Sequence, residues 1–341
     1  MHQNPASVAV VIVSYNTVGL LRNCLTSLAN CALPLHVVVV DNSSADGSAD
    51  MVRAEFPDIE LLALNENTGF ARGTNIGLAA LGLGSQESGV GSRGRAPQPP
   101  PSPPPPSPNS RLLTPNYILI LNPDTEVRLG AIEALVTFLE AHPRVGMASP
   151  RLLNPDGSPQ AAAFRFPTPI MTAIDLFPPG EVLPGRLYGS WWHGRYPQER
   201  GEVPFPIDHP LGACMLLRPE VIAQVGGLDE GYFMYSEEIA WCWRIRAAGW
   251  AIWQVPQAHV IHVGGASTRQ FRWKMLVALY RSRARFADTH YTPAARLAHR
   301  IVVRAGMLRF ALRAWRSYAQ KQISHDELRA HLLAYGEIAR L

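Results

Sequence analysis

The sequence predicts an α/β protein with a mostly parallel central β-sheet, flanking helices and a helical extension at its C-terminal end. Short apolar runs such as Val8–Ser14 are typical of strands buried on both faces. Segments with helical spacing of apolar residues, such as residues 18–29, separate these runs. Because strand and helix alternate, we expect a parallel sheet whose ligands bind at the carboxyl ends of its strands.

The elements are expected in a definite order, with β-branched runs favouring strands and apolar residues three or four apart favouring helices. Strands are predicted at residues 8–14, 36–40, 59–64, 117–121, 146–149, 214–217 and 251–256. Helices are predicted at residues 18–29, 67–81, 131–141 and 236–248. One more helix is expected to follow a capping segment at residues 46–48, another to begin at Pro219, and further helices to fill the end of the chain. Residues 155–210 lack periodicity and are rich in proline, glycine and aromatic residues, which is typical of binding loops.

We expect two parts, an α/β domain of residues 1–268 and a basic helical region of residues 269–341. Inside the first part, the stretch 82–110 contains nine prolines. Proline cannot donate ladder hydrogen bonds, so we predict a disordered or polyproline-II insertion there. It interrupts the domain instead of ending it, because residues 117–121 resume as a buried strand. A plain surface loop is favoured over a PxxP ligand for a partner domain.

Charge is unevenly distributed along the chain. Residues 271–321 hold twelve Lys or Arg and one acid, a net +11, whereas the remainder has 19 basic and 26 acidic residues, a net −7. This asymmetry indicates a polyanionic neighbour such as a membrane surface. Basic residues at helical spacing alternate there with apolar ones: Arg296, Leu297, Arg300, Ile301, Arg304, Leu308 and Leu312. Such a helix either lies on an anionic leaflet as a peripheral anchor or packs on the main domain, and both interpretations stay open.

Cysteine use and hydropathy indicate a cytoplasmic protein. The four cysteines lack metal-ligand spacing, and nothing requires an oxidising compartment. The first residues carry no basic segment, so no signal peptide is expected. No apolar run reaches the roughly 18–20 residues of a membrane span. We therefore expect the protein in the cytoplasm, either free or peripheral on the inner face of the cell membrane, with no nucleic acid as a partner.

Asp41 is predicted where a buried strand opens into a helix. A carboxylate at this point can accept a hydrogen bond from a nucleobase or a ribose hydroxyl, while the amides of the following turn meet phosphate. Alternatively, Asp41 and Asn42 merely cap the next helix. The two interpretations are evenly balanced on position alone.

The segment of residues 67–77 is punctuated by glycine. The glycines stand four residues apart, at Gly69, Gly73 and Gly77. They would lie on one face of a helix and let a ligand or another backbone approach closely, and plain helix packing is the alternative. From the same segment Arg72 and Asn75 can contact a diphosphate.

Asn122-Pro123-Asp124 ends the strand at residues 117–121. Asp124 is well placed to hold Mg²⁺ or Mn²⁺, because such sites often use only one or two protein carboxylates together with donor phosphates. The same tripeptide is ordinary turn chemistry, and the two roles are compatible. A lone histidine such as His262 is usually structural, but beside Asp124 it is a candidate metal ligand.

Glu237 and Glu238 open a predicted helix after the aromatic residues 232–235. A carboxylate in that setting can act as the general base that deprotonates an acceptor hydroxyl. An acid favoured by the helix dipole is the alternative. Arg244 can pair with phosphate or with an acid. The aromatic residues that can stack on sugar rings or fill the core are Tyr188, Trp191, Trp192 and those of residues 232–235.

Seven segments of the chain form a recognisable pattern. In order they read VIVSYN, VVVVDNSSADGS, NTGFARGTNIG, ILNPDT, LGACMLLRPE, GGLDEGYFMYSEEIAWCWRIRAAGW and HVIHVGGAS. Over roughly residues 8–290 the chain resembles the family 2 glycosyltransferases, in particular the bacterial rhamnosyltransferase-like branch that makes surface polysaccharides. Each segment alone is a weak signal, whereas seven in the right order are specific.

The resemblance implies a Rossmann-like GT-A fold and an inverting glycosyltransferase that uses a nucleotide-sugar donor, with dTDP-rhamnose favoured, and a glycan or lipid-linked acceptor. Asp41 would match the nucleotide-contacting aspartate, and Asp124 the last acid of a DXD-type metal motif. His262 would match a histidine that joins the metal site in some relatives. Glu237 and Glu238 would match a pair usually written Glu-Asp, whose second member is the catalytic base. The residues expected to contact the donor are Ser14, Asn16, Asp41, Asn42, Asn67, Gly69, Arg72, Gly73, Asn75, Asn122 and Arg244.

The sequence departs from the family pattern in three places. The metal motif has one acid where many members have two. The base position holds Glu instead of Asp, one methylene longer, so Glu237 and Glu238 could exchange roles. The proline-rich stretch lies outside the pattern altogether.

Two rival functions are a sugar nucleotidyltransferase and a non-catalytic sugar-nucleotide-binding assembly partner. The first would be expected to carry a Gly-rich loop with Lys or Arg after the first strand, where this chain has Ser14-Tyr15-Asn16-Thr17. The second is disfavoured because Asp41, Asp124 and Glu238 are retained.

Overall fold

The computed structural model of the protein describes residues 6–83, 115–178, 190–264 and 272–341. Apart from its first two positions, the proline-rich stretch predicted at residues 82–110 lies outside the described residues. Tyr188 and the predicted boundary at residue 268 also lie outside them. No helix within the described ranges combines the length and the apolarity needed to cross a bilayer.

Parallel strands form the first half of the sheet. They are β1 (Val8–Ser14), β2 (Leu35–Asp41), β3 (Glu60–Ala63) and β4 (Tyr117–Leu121). The helices of this half are α1 (Val18–Leu28), α2 (Ser48–Glu55) and α3 (Gly69–Ala80). Strand β1 is central, because it pairs in parallel with β2 on one side and β4 on the other. The carboxyl ends of β1, β2 and β4 therefore meet at one edge, where Ser14 lies opposite Asp41.

The second half of the sheet is mixed. The strands in this half of the chain are β5 (Thr125–Val127), β6 (Val145–Leu153), β7 (Pro159–Gln160), β8 (Ala163–Phe164), β9 (Phe205–Pro206), β10 (His209–Pro210), β11 (Cys214–Leu217) and β12 (Ala251–His262). Two of them, β8 and β10, form a separate small sheet. The helices are α4 (Ala131–Ala141), α5 (Pro169–Leu176), α6 (Pro219–Val225) and α7 (Glu237–Ala247). The main sheet runs β3-β2-β1-β4-β11-β6-β12-β5, and β8 pairs with β10. Most paired residues lie in parallel ladders, and the α/β class is as predicted.

Apolar side chains cover both faces of the sheet, and the glycines of α3 determine how closely that helix packs. A Cβ on Gly73 would lie 2.8 Å from a methyl group of Val13, and a Cβ on Gly77 would collide with Val11. Only glycine therefore lets α3 lie this close to β1. Helix packing accounts for these two glycines.

Three helices end the chain, as predicted. They are α8 (Arg272–His290), α9 (Pro293–Ala319) and α10 (His325–Arg340). Thr292 accepts a hydrogen bond from the backbone of Ala295 and caps α9, while Ser324 and Glu327 form a capping box that starts α10. A separate apolar cluster joins these helices to Leu176 of α5.

Several elements differ from the sequence-based prediction: β5 was not predicted, and β6 is longer than the predicted residues 146–149. Strand β12 continues to His262, whereas the sequence predicted that it ends near Pro256. The ladder with β6 shifts register between Val255 and His259, and such an irregularity accommodates a proline inside a strand. Residues 155–210, predicted as loops, contain α5 and four strands of two residues each, which are too short to show a periodic pattern.

Candidate active site

Hydrogen bonds join the turns that follow β1 and β2. The backbone N–H of Asn42 donates to the carbonyl of Ser14 at 2.8 Å. Asn16, which has a positive φ of 51°, donates its N–H to the hydroxyl of Ser44 at 2.9 Å and accepts from the N–H of Ala45 at 2.8 Å. Ser14 and Asn16, which were both predicted to contact the nucleotide-sugar donor, thus shape the turn beside the end of β2.

Asp41 ends β2 with only 3% of its surface exposed. Its Oδ2 accepts from the N–H of Ser44 at 3.0 Å, whereas Oδ1 has no hydrogen-bond partner among the described residues. A buried carboxylate oxygen without a partner is costly, and a nucleobase N–H or a ribose hydroxyl would satisfy it. Asp41 does not cap α2, because Asp46 accepts from the N–H of Ser48 at 3.0 Å.

Asn42 connects the end of β2 to the start of α3. Its Nδ2 donates to Asn67 Oδ1 at 3.0 Å and to the Gly69 carbonyl at 3.1 Å. Its Oδ1 accepts from the N–H of Thr68 at 2.8 Å. Since Asn42 is 2% exposed and its amide has protein partners on both sides, its part in the site is to hold the turn at residues 67–69 beside Asp41.

Gly69 brings the loop before α7 to this edge of the sheet. Its φ is +83°, and a Cβ there would collide with the carbonyl oxygen of Phe233 and lie 2.8 Å from the ring. The same carbonyl accepts from the N–H of Phe70 at 2.9 Å. Glycine is required on both counts, because it adopts positive φ freely and leaves room for the approaching backbone. The start of α3 therefore supports the chain that leads into the two glutamates.

Glu237 and Glu238 begin α7 directly after Tyr235 and Ser236, whose φ values are +69° and +65°. Such backbone strain in non-glycine residues is concentrated at functional sites. Glu237 is buried, and its Oε2 has no hydrogen-bond partner in the described part of the chain. Burial and then the neighbouring carboxylate raise the pKa of Glu237 well above its ordinary value. Burial raises the pKa of Glu238 to about 7.

A chain of contacts connects Glu238 to the end of β4. The methylene groups of Glu238 pack against Gly212, because a Cβ on Gly212 would lie only 3.3 Å from the Cγ of Glu238. The next residue, Ala213, accepts from the N–H of Asn122 at 2.9 Å. Strand β11 runs antiparallel to β4, so the residues just before β11 lie beside the residues just after β4. Glu238 therefore lies on the same edge of the sheet as Asp124.

Asp124 and His262 meet where β4 and β12 end. Asp124 Oδ1 lies 3.4 Å from His262 Nε2, and its Oδ2 accepts from the N–H of Gly264 at 3.1 Å. On the far side of the ring, His262 Nδ1 lies 2.7 Å from Gln160 Oε1. The Gln160 amide donates through Nε2 to the oxygens of Asn154 and His262, so its Oε1 faces the ring and Nδ1 is the nitrogen that carries a proton. In the tautomer that carries its proton on Nδ1, the lone pair of Nε2 faces a carboxylate.

This arrangement fits a divalent cation. Two acceptors 3.4 Å apart repel each other unless a proton or a metal ion lies between them. Gln160 supplies the outer hydrogen bond that commonly orients a metal-binding histidine. No group of three or more His, Cys, Asp or Glu able to hold a metal is found within the described ranges. Asp124 and His262 would therefore hold the ion together with oxygens of a bound diphosphate, as is usual for Mg²⁺.

Comparison with known proteins identifies the family. The family model described as "Glycosyltransferase like family 2" matches residues 5–289, most of the chain. The chain belongs to glycosyltransferase family 2. It is a transferase enzyme of this family, similar to its rhamnosyltransferases, and it has the mostly parallel α/β sheet that the sequence predicted.

Curated relatives carry related names. The chain is 30% identical over 287 residues to an N-acetylglucosaminyl-diphospho-decaprenol L-rhamnosyltransferase of Mycobacterium tuberculosis, covering 82% of this chain and 84% of the relative. It is 28% identical over 258 residues to the low-salt glycan biosynthesis hexosyltransferase Agl10 of Haloferax volcanii, covering 74% and 66%.

Solved structures of glycosyltransferases also match. A mannosyltransferase from Pyrobaculum calidifontis in complex with GDP-Man and Mn²⁺ is 16% identical, with a TM-score of 0.49, covering 99% of this chain and 86% of that chain. GalNAc-T7 with UDP, GalNAc and Mn²⁺ is 15% identical, with a TM-score of 0.49, covering 76% of this chain and 44% of that chain.

Two predicted diphosphate contacts have a different role in the structure. Asn75 Oδ1 accepts from the N–H of Leu228 at 2.8 Å, and its Nδ2 donates to the carbonyl of the same residue at 2.9 Å. Arg244 donates to the carbonyls of Val225 and Gly227, both at 2.5 Å. The side chains of Asn75 and Arg244 therefore hold the loop before α7, and these backbone partners replace the phosphate contacts expected of them.

The other residues predicted to contact the donor or a sugar differ in how accessible they are to a ligand. Gly73 faces β1 and is explained by packing, so it is not accessible to a donor. Arg72 lies on the exposed side of α3, 3.9 Å from Glu230, and its predicted diphosphate contact stays a prediction. Tyr232 is buried, which assigns it to the core, whereas Trp191 and Trp192 are more than half exposed.

Sequence reasoning missed two residues that build the site. Gln160 lies in a strand of two residues within an aperiodic segment, so no local pattern marks it. Gly212 stands two residues before β11, and a glycine there was the one available signal that a side chain packs closely against the backbone.

Proposed function

We propose that the protein is an inverting glycosyltransferase that moves a sugar from a nucleoside diphosphate donor to a hydroxyl group of a glycan or lipid-linked acceptor. The observation that carries this proposal is the grouping of three features at one edge of the sheet. They are the unpartnered oxygen of Asp41, the pair formed by Asp124 and His262, and the glutamates that begin α7. Together they match the three needs of the reaction, which are nucleotide recognition, diphosphate neutralisation and a base.

The donor and the acceptor are proposed from the relatives. The M. tuberculosis relative, which spans most of this chain, is named as an L-rhamnosyltransferase acting on a diphospho-decaprenol-linked sugar. We propose rhamnose from dTDP-rhamnose as the transferred sugar and a lipid-linked or glycan hydroxyl as the acceptor, in the synthesis of a cell-surface polysaccharide. A lipid-linked acceptor places the reaction at a membrane surface, so a peripheral membrane position belongs to the proposal.

For the cation we propose Mg²⁺ or Mn²⁺ held by Asp124 and His262. A bound divalent ion would neutralise the negative charge that develops on the departing diphosphate. The Gly264 amide fixes one oxygen of Asp124, and Gln160 fixes the orientation of His262, so both ligands are held in place by the protein. Asp41 would accept a hydrogen bond from the base or ribose of the nucleotide.

Glu238 is the proposed general base. With a pKa of about 7, it is partly ionised near neutral pH and can take the proton of the acceptor hydroxyl. The acceptor oxygen then forms a bond to the anomeric carbon on the face opposite the diphosphate, the bond from that carbon to the diphosphate breaks, and the nucleoside diphosphate leaves. Burial and the neighbouring carboxylate also raise the pKa of Glu237 well above its ordinary value, which disfavours a second negative charge beside Glu238.

The test is the variant Glu238→Gln, which keeps the shape of the side chain and removes its basicity. We expect sugar transfer to fall by at least about 100-fold, while calorimetric binding of the nucleoside diphosphate stays within about twofold. The matched control is Glu220→Gln, which changes an exposed acid in the first turn of α6 and should leave both quantities unchanged.

The rival functions give different results in the same assay. Transfer that persists in Glu238→Gln would contradict the role of this base. A wild-type protein that binds the nucleotide but transfers no sugar from any donor would indicate an assembly partner. Release of pyrophosphate from a nucleoside triphosphate and a sugar phosphate would indicate a nucleotidyltransferase.

A further inference from the structure

Helix α9 carries large side chains on two opposite faces. One face is buried against α5, α8 and α10 and includes His299, Val303 and Met307. The other face leaves five large apolar residues 51–62% exposed, and they are Leu297, Ile301, Leu308, Leu312 and Trp315. We call these five residues the outer face of α9.

The outer face is one continuous stripe. Its members stand at positions i, i+4, i+11, i+15 and i+18, which fall within about 60° of one another around a helix. At 1.5 Å per residue they extend over roughly 27 Å along the helix. Exposed apolar residues scattered singly are ordinary, whereas an aligned row of five indicates an interaction surface.

Arginines border the stripe on both sides. Arg300 and Arg304 lie along one border, and Arg309, Arg313 and Arg316 along the other. Arg300 is paired with Asp288, but Arg313 and Arg316 have no acidic partner in the described parts of the chain. Helix α9 itself contains six arginines and no acidic residue. An apolar stripe between two rows of cationic side chains is the composition of a helix that lies in a lipid–water interface.

We propose that the outer face of α9 docks the protein on an anionic lipid leaflet, with the stripe in the acyl boundary and the arginines among the phosphates. A second copy of the chain is the other occupant to consider. Two outer faces brought together would place the six arginines of one helix, of which only Arg296 and Arg300 lie beside an acid in the described residues, against the same six of the other. Like charges at an interface oppose association. Lipid phosphates supply the missing negative charge, so charge complementarity favours the leaflet.

The position of α9 suits a lipid-linked acceptor, and this part of the inference rests on the proposed function. Helix α8 packs against α9 and also contacts the loop before the two glutamates. The hydroxyl of Ser282 donates to the carbonyl of Met234 at 2.7 Å, and Arg285 pairs with Asp229 at 2.9 Å. Helix α8 therefore connects the docking surface on α9 with the loop that precedes the proposed base.

The test is flotation of the full chain with vesicles, without donor or acceptor, so that its outcome does not depend on sugar transfer. We expect binding to vesicles of phosphatidylcholine with phosphatidylglycerol and little binding to phosphatidylcholine alone. Arg313→Glu with Arg316→Glu should lower binding at least about tenfold. Leu308→Gln with Leu312→Gln should lower it by a similar factor.

Matched controls change the same residue types elsewhere. Arg53→Glu with Arg144→Glu alters two exposed arginines of the α/β domain, and Leu129→Gln alters a leucine that is 84% exposed. Circular dichroism establishes that every variant is folded. Equal binding of the α9 variants and the controls, or no binding of the wild type to anionic vesicles, would overturn the proposal. Self-association of the wild type in lipid-free buffer that the α9 variants abolish would overturn it in favour of a second copy.

Discussion

Substitution of Gly69 by alanine tests how the start of α3 supports the loop before the base. Gly69 has a φ of +83°, and a Cβ there meets the backbone carbonyl of Phe233, which cannot move aside as a flexible side chain can. Gly130 has a φ of +78° with open space around it, so Gly130→Ala imposes the same backbone strain without a collision. The difference between the two variants isolates the contact with Phe233.

The magnitudes follow from these contacts. Alanine in the left-handed region costs about 1 kcal/mol, and we expect Gly130→Ala to lower the free energy of unfolding by about that amount. In Gly69→Ala, weakening of the hydrogen bond from Phe70 to Phe233 adds about 1 kcal/mol. The carbonyl must also retreat, and a displacement of about 1 Å near the reacting groups can lower the rate about 100-fold.

The assay measures kcat and KM for transfer to a water-soluble acceptor, with unfolding in urea followed in parallel. We expect kcat to fall about 100-fold in Gly69→Ala and less than twofold in Gly130→Ala. Equal kcat values for the two variants would refute the inference that this glycine positions the loop of Phe233.

Three further predictions concern residues around the site. Transfer should increase as the pH rises through about 7, because Glu238 must lose its proton to act as a base, and Glu238→Gln should abolish this dependence. A transfer rate of the wild type that is independent of pH between about 6 and 8 would contradict the role of Glu238 as the base. Gln160→Leu should weaken metal-dependent nucleotide binding by roughly 10–100-fold, measured by calorimetry against the exposed control Gln257→Leu. Ser282→Ala leaves the Met234 carbonyl without its hydroxyl partner, so kcat should fall about tenfold with unchanged nucleotide affinity, and a change in affinity alone would count against a positioning role.

Strand ends could be predicted from the sequence because their signals are local. A β-branched run followed by a polar residue places Asp41 and Asp124 at carboxyl ends of strands, and the parallel order then brings those ends to one edge. The start of α7 at the two glutamates was equally visible, since aromatic residues give way to helical spacing there.

Partners distant in the chain could not be predicted in this way. Asn75 and Arg244 carry the chemistry of phosphate ligands, but the structure pairs them with backbone groups of a loop more than fifteen residues away from either. Nothing in local composition separates a donor that meets phosphate from one that meets a carbonyl. Gln160 was missed for the converse reason, because its partner His262 is 102 positions away.

The central claim is that Asp41 and Asp124 serve one site that binds a nucleoside diphosphate with a divalent ion. Calorimetric titration of thymidine diphosphate, with and without Mn²⁺, tests it most directly in the wild type, Asp41→Asn, Asp124→Asn and the exposed control Asp58→Asn. We expect Mn²⁺ to strengthen binding to the wild type and the control, Asp124→Asn to lose only that enhancement, and Asp41→Asn to bind weakly under both conditions. Wild-type affinity in both Asp41→Asn and Asp124→Asn would contradict the account.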